Sequence, residues 1–487
     1  MSSLKTRTVT GLLWSFIDNF FKLGLTFIIG IVLARLLTPR EFGLIGMITI
    51  FIALSRSLVD SGFTQALIRK QDCTQSDYST VFYFNLLIGI FIYTVLFFSA
   101  PAISRFFDEP ELILIVHVLG LVIIVNAFSV VQRARLIKNI DFKLQARITF
   151  IASLLSGIIS IWMAFSGYGV WSLVVLTLAG ALFTTLLLWL WNKWKPSLVF
   201  SRTSFADMFS FGYKLMISGL IDTAYRNIYL FIIGKYFSAT ELGYYTRAEQ
   251  FKNLPSQNIS EVIQRVSYPV LSEMQDDAGR LKLAYQKILR STMLITSVLM
   301  LLMIATAEPL VLALIGEQWL PSVIYLQLLS VVGLFYPLQA INLNVLKVFG
   351  RSDIFLRLEI IKKTLAVPVI LIGVFMGIKL MIISMIIHSS IAYFLNSYYS
   401  GQNIGYSSLQ QLKDIGPSLL LALLIGGLVF SLGLFIDQPD YLLLIIQLAT
   451  GGGAFILLGE LSKMQDYIFM KEIFMGKLKD IKHGRIE

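Results

Sequence analysis

The chain has few of the residues that build metal centres, disulfides or covalent catalytic sites. Its 487 residues include one cysteine, Cys73, and three histidines. A single cysteine excludes an intramolecular disulfide and does not support a thiolate metal site. The sequence also lacks a Gly-x-x-x-x-Gly-Lys-Ser/Thr phosphate loop, a His-Glu-x-x-His motif and a Gly-x-Ser-x-Gly elbow. These absences predict a protein that is not an enzyme and has no resident metal or cofactor.

Charge is also scarce for a chain of this length. Charged residues make up 14% of the sequence and hydrophobic residues 56%, and the mean hydropathy is +0.76. This composition excludes a soluble globular protein and predicts an all-α polytopic membrane protein, because strand-like alternation is absent. The net charge of +11 does not indicate a nucleic-acid partner, since Lys and Arg collect in loops on one side of the membrane.

Apolar segments of about 20 residues, long enough to cross a bilayer, recur throughout the chain. The loops between them are short, which leaves no room for the large outward-facing loop that a polysaccharide polymerase would need. The excess of Lys and Arg on one side predicts that both termini are cytoplasmic. We predict fourteen transmembrane helices near 11–34, 42–66, 80–100, 112–132, 147–166, 170–191, 211–234, 243–272, 284–306, 322–346, 357–377, 379–399, 415–436 and 441–461.

An internal repeat organises these spans. Phe27–Gly30 recurs as Phe231–Gly234 at an offset of 204, and Thr38–Leu44 aligns with Ser238–Tyr244 at an offset of 200. Both copies start on the same side of the membrane, which is typical of parallel repeats in transporters. We therefore predict two six-helix lobes around a central cavity, followed by two extra helices and a tail: 1–200 (N-lobe), 201–402 (C-lobe), 403–462 (helices 13 and 14) and 463–487 (basic cytoplasmic tail).

The first two spans of each repeat contain an acid and a base four residues apart, which places both groups on one helix face. Eight such charges facing lipid would cost on the order of 20–28 kcal/mol, so we expect them to share a hydrated cavity. The simpler interpretation, that each pair only neutralises itself within its helix, stays open. The four pairs are Asp18/Lys22, Arg56/Asp60, Asp222/Arg226 and Glu261/Arg265.

The basic members of these pairs, with one further arginine, are candidates for binding an anionic ligand. A guanidinium fork matches the oxygens of a phosphate group, whereas lysine acts as a point charge. The predicted cationic substrate site consists of Lys22, Arg56, Arg226, Arg247 and Arg265. The acids would compete with the substrate for these bases and assist its release; they are Asp18, Asp60, Asp222 and Glu261.

Four short segments, in this order within a fourteen-span frame, resemble a known transporter family. They are Ala34–Gly43, Ser61–Phe63, Tyr268–Ser272 and Leu314–Trp319. The chain resembles the polysaccharide-transporter branch of the multidrug/oligosaccharidyl-lipid/polysaccharide exporter superfamily over nearly its whole length. Within that branch it is most similar to the Wzx-type flippases and exporters of O-antigen, colanic-acid and teichuronic-acid units.

The resemblance implies a substrate and a mechanism. The substrate would be an oligosaccharide joined through pyrophosphate to an undecaprenyl carrier, moved between leaflets of the bacterial cytoplasmic membrane by alternating access. A V-shaped cavity would be lined by the first two helices of each lobe. The expected partners are this lipid-linked oligosaccharide, membrane lipids, and a glycan polymerase with assembly proteins, as in lipopolysaccharide biosynthesis.

Two other functions within the superfamily remain alternatives. A peptidoglycan lipid-precursor flippase would share fourteen spans and a cationic cavity. An ion-coupled drug exporter would have acids dominating the cavity and usually twelve spans. The sequence identifies neither the glycan nor the coupling ion, H+ or Na+, if there is one.

Overall fold

The structure, a computed structural model, describes residues 21–60 and 62–472, except for the side chains of Glu261, Val262, Arg265 and Val266. Asp18 and residues 473–487 of the predicted tail lie outside the described residues. So do the side chains of the predicted pair Glu261 and Arg265.

The described residues are almost entirely helical and contain no strand. The helices are numbered in chain order: α1 (21–36), α2 (Pro39–Asp60), α3 (Phe63–Arg69), α4 (Gln75–Phe107), α5 (Leu112–Ala127), α6 (Val130–Lys138), α7 (Phe142–Phe165), α8 (Trp171–Asn192), α9 (Arg202–Tyr236), α10 (Ala239–Ser272), α11 (Ala278–Ala305), α12 (Ala307–Ile315), α13 (Ser322–Val348), α14 (Ser352–Met376), α15 (Ile378–Ile404), α16 (Ser408–Phe435), α17 (Asp440–Ser462) and the start of α18 (465–472).

Many of these helices are suited to a membrane. Within residues 21–60 and 62–472, nine are long and apolar enough to cross a bilayer if α2 and α3 are taken together, and α5 with α6 makes a tenth. The chain is therefore an all-helical, multi-pass membrane protein. The other predicted spans coincide with α1, α9, α10 and α14, so each predicted span overlaps a helix. The total of fourteen crossings stays a prediction.

Two of the predicted spans are broken near one end. Gly62 has a left-handed backbone (φ 69°) and separates α2 from α3. Glycine suits this position because other residues adopt such a backbone only with strain. The axes of α5 and α6 differ by 43°. Helix α6 packs on α3 after this bend, and Phe63 lies in one buried cluster with Val131 and Ala134.

The chain forms two compact units, Met1–Gly243 and Tyr244–Glu487. In the first unit α4 packs on α5, α7 on α8, α5 on α8, and α2 on α9. Helix α9 groups with this unit because it packs along α2. The sequence repeat predicts a lobe boundary near residue 200. The division into compact units follows contacts and not the repeat, so this boundary stays a prediction.

The second unit is built around α11, α13, α15 and α16, which pack on one another, while α17 packs on α16 and α12. A buried amide, Asn342 of α13, joins these helices. Its Oδ1 accepts hydrogen bonds from the Tyr285 hydroxyl (2.9 Å) and the Gln411 amide (3.3 Å), and also from the Ser400 hydroxyl. The Asn342 amide donates to Gln411 Oε1 at 3.1 Å. Helices α11, α13, α15 and α16 therefore meet in one satisfied polar network.

Candidate functional site

The candidate site of the first unit lies beside a long contact between α2 and α9. Ser57 Oγ would be 3.3 Å from a Cβ at Gly219, and Met47 Cγ would be 3.0 Å from a Cβ at Gly234. Residues later in α2 therefore meet residues earlier in α9, so the two helices run antiparallel. Small side chains let helices approach closely in membranes. This packing holds α2, with its predicted site residues, along the face of α9.

The predicted pair on α2 does not form an ion pair. Arg56 and Asp60 are both exposed. The Asp60 carboxylate accepts a hydrogen bond from the Thr64 hydroxyl across the break between α2 and α3. No ion pair among the described residues includes Arg56. For this pair, the interpretation that the charges simply neutralise each other does not hold in the structure.

A second arginine, which the sequence analysis missed, lies near this pair. Arg133 of α6 is exposed and close enough to Arg56 and Asp60 for both charges to act on its guanidinium group. It reaches this position because the bend after α5 turns α6 onto α3. Like Arg56, it belongs to no ion pair in residues 21–60 and 62–472. Two accessible guanidinium groups thus lie near one carboxylate, and positive charge is in excess among these three groups.

The predicted pair on α9 does neutralise itself. Arg226 Nε and Asp222 Oδ2 are 2.9 Å apart, with side chains 69% and 51% exposed. An exposed i, i+4 pair of this kind contributes only a few tenths of a kcal/mol, about 0.3–0.5, to stability. Arg226 is therefore accessible and weakly held, so a stronger anion could displace Asp222. Lys22, on α1, is also exposed.

Arg247 lies in the second unit and is covered. Its side chain is 7% exposed, its NH1 donates to Gln250 Oε1 at 2.5 Å, and its guanidinium carbon is 5.7 Å from the ring centroid of Trp319. The sequence predicted Arg247 as part of a cationic substrate site in a hydrated cavity. In the structure Trp319, which follows α12, covers it. The role of Arg247 in ligand binding stays a prediction.

The described residues contain no candidate metal centre. Over residues 21–60 and 62–472, no three His, Cys, Asp or Glu side chains are grouped to hold an ion. What the described site offers is guanidinium and ammonium groups. Such groups bind anions, and phosphate above all.

Comparison with models of protein families shows which family the chain belongs to. The family model described as "Polysaccharide biosynthesis protein" matches residues 32–324, which is more than half of the chain. The chain belongs to this family. The resemblance proposed from the sequence motifs is thereby confirmed.

Two relatives of the chain have names that describe polysaccharide biosynthesis. The teichuronic acid biosynthesis protein TuaB of Bacillus subtilis is 26% identical over 73% of this chain and 74% of its own length. The lipopolysaccharide biosynthesis protein WzxC of Escherichia coli K12 is 26% identical over 76% of each chain. The likeness covers both units.

Among solved structures, the lipid II flippase MurJ in an inward closed conformation has a similar fold. The TM-score is 0.72 over 96% of this chain and 99% of MurJ, at 15% sequence identity. At this identity the likeness concerns the fold alone. It supports a multi-helical membrane architecture for the polysaccharide biosynthesis family member.

Two of the motifs that suggested the family have identifiable structural roles. The segment Ala34–Gly43 ends α1 and begins α2, and its Thr38 amide donates to Glu41 at 2.6 Å. This bond caps the first turn of α2. The segment Leu314–Trp319 ends α12 and places Trp319 over Arg247. The first motif therefore shapes the ends of two helices that bear predicted site residues, and the second covers one such residue, Arg247.

Proposed function

We propose that this protein is a flippase that moves oligosaccharides, linked through pyrophosphate to a polyprenol, across the bacterial cytoplasmic membrane. Transport would proceed by alternating access, with both termini in the cytoplasm and without chemical change of the substrate. The observation that carries this proposal is the pair of arginines, Arg56 and Arg133, which are accessible, close and without an ion-pair partner in the described structure. The names of the curated relatives and the transporter fold support the same function.

The substrate class follows from electrostatics. Two guanidinium groups beside a single carboxylate are stabilised by an added anion, and a pyrophosphate offers oxygens to both forks. In this proposal the headgroup binds Arg56 and Arg133, Arg226 exchanges Asp222 for phosphate, and Lys22 adds a point charge. The polyprenyl chain stays in the lipid.

The remaining predicted residues complete the proposed cycle. Arg247 and Arg265 would contribute on the side of the second repeat, with the two lobes and the cavity arranged as the repeat predicts. The acids would compete for the bases as the substrate leaves; they are Asp18, Asp60, Asp222 and Glu261. A proton or sodium gradient would drive the cycle if it is ion-coupled, and a glycan polymerase would receive the product.

A peptidoglycan lipid-precursor flippase is the second candidate. The specific observation in its favour is the similarity of fold to MurJ, a lipid II flippase. Its substrate would present the same pyrophosphate to the same arginines. The two candidates differ in the sugars attached to the carrier, so the lipid that accumulates in a deletion strain distinguishes them.

The test is a deletion strain in which the accumulated lipid-linked sugar is identified by mass spectrometry. The wild-type chain should relieve the accumulation, and Arg56→Gln should not, while both reach the membrane in equal amounts. Arg351→Gln is the matched control, because Arg351 is an exposed arginine of the second unit that pairs with Asp353 at 3.2 Å. Full relief by Arg56→Gln, or accumulation of no lipid-linked sugar, would refute the proposal.

A further inference from the structure

Two glycines bring the backbones of α2 and α10 into direct contact. A Cβ on Gly43 would lie 1.6 Å from the carbonyl oxygen of Ala239, and a Cβ on Gly243 would lie 1.9 Å from the carbonyl oxygen of Pro39. No side chain fits at such distances, so each position accepts only glycine in this conformation. All four residues belong to the first compact unit.

This contact is reciprocal in the repeat. The sequence offset of 200 relates Pro39 to Ala239 and Gly43 to Gly243. Each glycine therefore touches the residue four positions before the equivalent glycine of the other repeat. Self-complementary contacts of this kind form where two equivalent surfaces meet around a two-fold axis. The contact is thus a place where the two repeats meet through the same short segment.

The opposite end of α2 is closed by another backbone contact. A Cβ on Gly62 would lie 2.4 Å from the carbonyl oxygen of Gly212 in α9. Between the two ends, the α2–α9 contact is continuous through Ser57 with Gly219 and Phe51 with Phe231, whose ring centroids are 6.3 Å apart. The described contacts between the predicted repeats therefore run from one end of α2 to the other.

We propose that these two glycine contacts are the gates of the transport cycle. The outer gate is the crossing of Pro39 and Gly43 with Ala239 and Gly243, and the inner gate is the contact of Gly62 with Gly212. The inference rests on the proposed function, because outer and inner follow from its orientation and the need to part follows from alternating access. Each gate opens while the other stays closed.

The chemistry of the contacts suits this role. Backbones that meet through glycine are held by van der Waals contact and weak Cα–H···O bonds, which are individually small. Packed interfaces of this kind are bistable rather than gradually deformable, so they switch between closed and open arrangements.

The first test locks each half of the α2–α9 contact with a disulfide. The pair Met47→Cys with Gly234→Cys lies toward the outer gate, since Met47 Cγ is 3.0 Å from the Cβ position at Gly234. The pair Ser57→Cys with Gly219→Cys lies toward the inner gate, at 3.3 Å. The control is Ser156→Cys with Gly180→Cys between α7 and α8, at 3.4 Å. These separations suit disulfide geometry.

All three pairs are made in a Cys73→Ser background, which leaves no other thiol. Cells or vesicles are oxidised, then reduced, and export is measured at each stage together with the extent of cross-linking. For both α2–α9 pairs, we expect oxidation to lower export to the level of the deletion strain. Reduction should restore it. The α7–α8 control should export in both states. Equal export by a fully cross-linked α2–α9 pair and its reduced form would overturn the gate proposal.

The second test does not depend on the substrate. Ala239 is 2% exposed, so Ala239→Cys in the Cys73→Ser background should react slowly with a membrane-impermeant maleimide added outside. Adding Gly43→Ala should raise the labelling rate, because the extra methyl group disfavours the closed crossing. Gly180→Ala is the control, since its new methyl group would meet Ser156 at an ordinary 3.4 Å.

The outcomes separate the two proposals. Unchanged labelling in a Gly43→Ala protein that reaches the membrane at normal levels would overturn the outer gate. If the unmodified chain fails to relieve accumulated lipid-linked sugar, the proposed substrate is wrong. The labelling experiment still decides in that case whether the crossing opens.

Discussion

Replacing Asn342 by alanine should destabilise the second unit by several kcal/mol. Asn342 is fully buried and accepts hydrogen bonds from Tyr285, Ser400 and Gln411. Ser400 keeps a second acceptor, the Ser397 carbonyl at 3.3 Å. The Tyr285 hydroxyl and the Gln411 side-chain carbonyl lose the partner that Asn342 supplies.

The magnitude follows from these two groups. A buried polar group left without a partner costs about 1–3 kcal/mol, so Asn342→Ala should cost roughly 2–6 kcal/mol. Asn403→Ala is the matched control, because the Asn403 amide donates only to the Tyr399 carbonyl of its own helix at 2.8 Å. Losing that single bond should cost about 0.5–1.5 kcal/mol.

The assay is thermal unfolding of the purified full chain in detergent, followed by the loss of monodisperse protein. A double-mutant cycle tests the hydrogen bond between Tyr285 and Asn342 directly. Tyr285→Phe removes the hydroxyl that Asn342→Ala leaves unpaired, so the double variant should be more stable than the sum of the single effects predicts. If Asn342→Ala unfolds at the same temperature as Asn403→Ala and the cycle shows no coupling, the polar network does not stabilise the second unit.

Two further predictions concern the candidate site and the tail. Arg133→Lys should retain part of the export that Arg133→Gln loses, because lysine keeps the charge but not the fork that matches phosphate; equal export by all three proteins would exclude Arg133 from the site. Burial raises the pKa of Asp466, outweighing Arg290, whose Nε lies 3.4 Å away. The folded state then binds the Asp466 proton more tightly than the unfolded state does, so docking of residues 465–472 weakens as the pH rises from the usual carboxyl pKa through the raised one. Limited proteolysis of the tail should therefore be slower at the acidic end of that window, and Asp466→Asn should abolish the difference.

The helices could be predicted closely from the sequence, but their interruptions could not. Long apolar runs have one outcome in a membrane, since only a helix satisfies every backbone group in lipid. The break at Gly62 and the bend between α5 and α6 occur inside such runs. Hydropathy does not show where a helix bends, so the spans 42–66 and 112–132 were expected to be continuous.

The candidate site was predicted only in part. The i, i+4 spacing identified Arg56, Asp60, Asp222 and Arg226, because neighbours on a helix face can be found by counting residues. Spacing does not show which of these pairs forms an ion pair. Asp222 and Arg226 do. Asp60 instead accepts a hydrogen bond from the Thr64 hydroxyl, and Arg56 has no ion-pair partner among the described residues.

Arg133 shows the limit of sequence reasoning most directly. It follows the predicted span 112–132 by one residue, where basic residues are common and usually mark the cytoplasmic side. Nothing in its local sequence separates it from other loop arginines. Its position beside Arg56 depends on the bend between α5 and α6 and on the packing of α6 against α3.

The amino-acid sequence alone determined the membrane-spanning helices, the duplication and the family, because hydropathy, repeat offset and motif order are properties of the chain read in one dimension. Tertiary structure decided which charges pair, that Trp319 covers Arg247, and that Gly43 and Gly243 touch the backbones of repeat-equivalent residues. These depend on where helices bend and cross. A shift of one helical turn, too small to alter any sequence pattern, would change all of them.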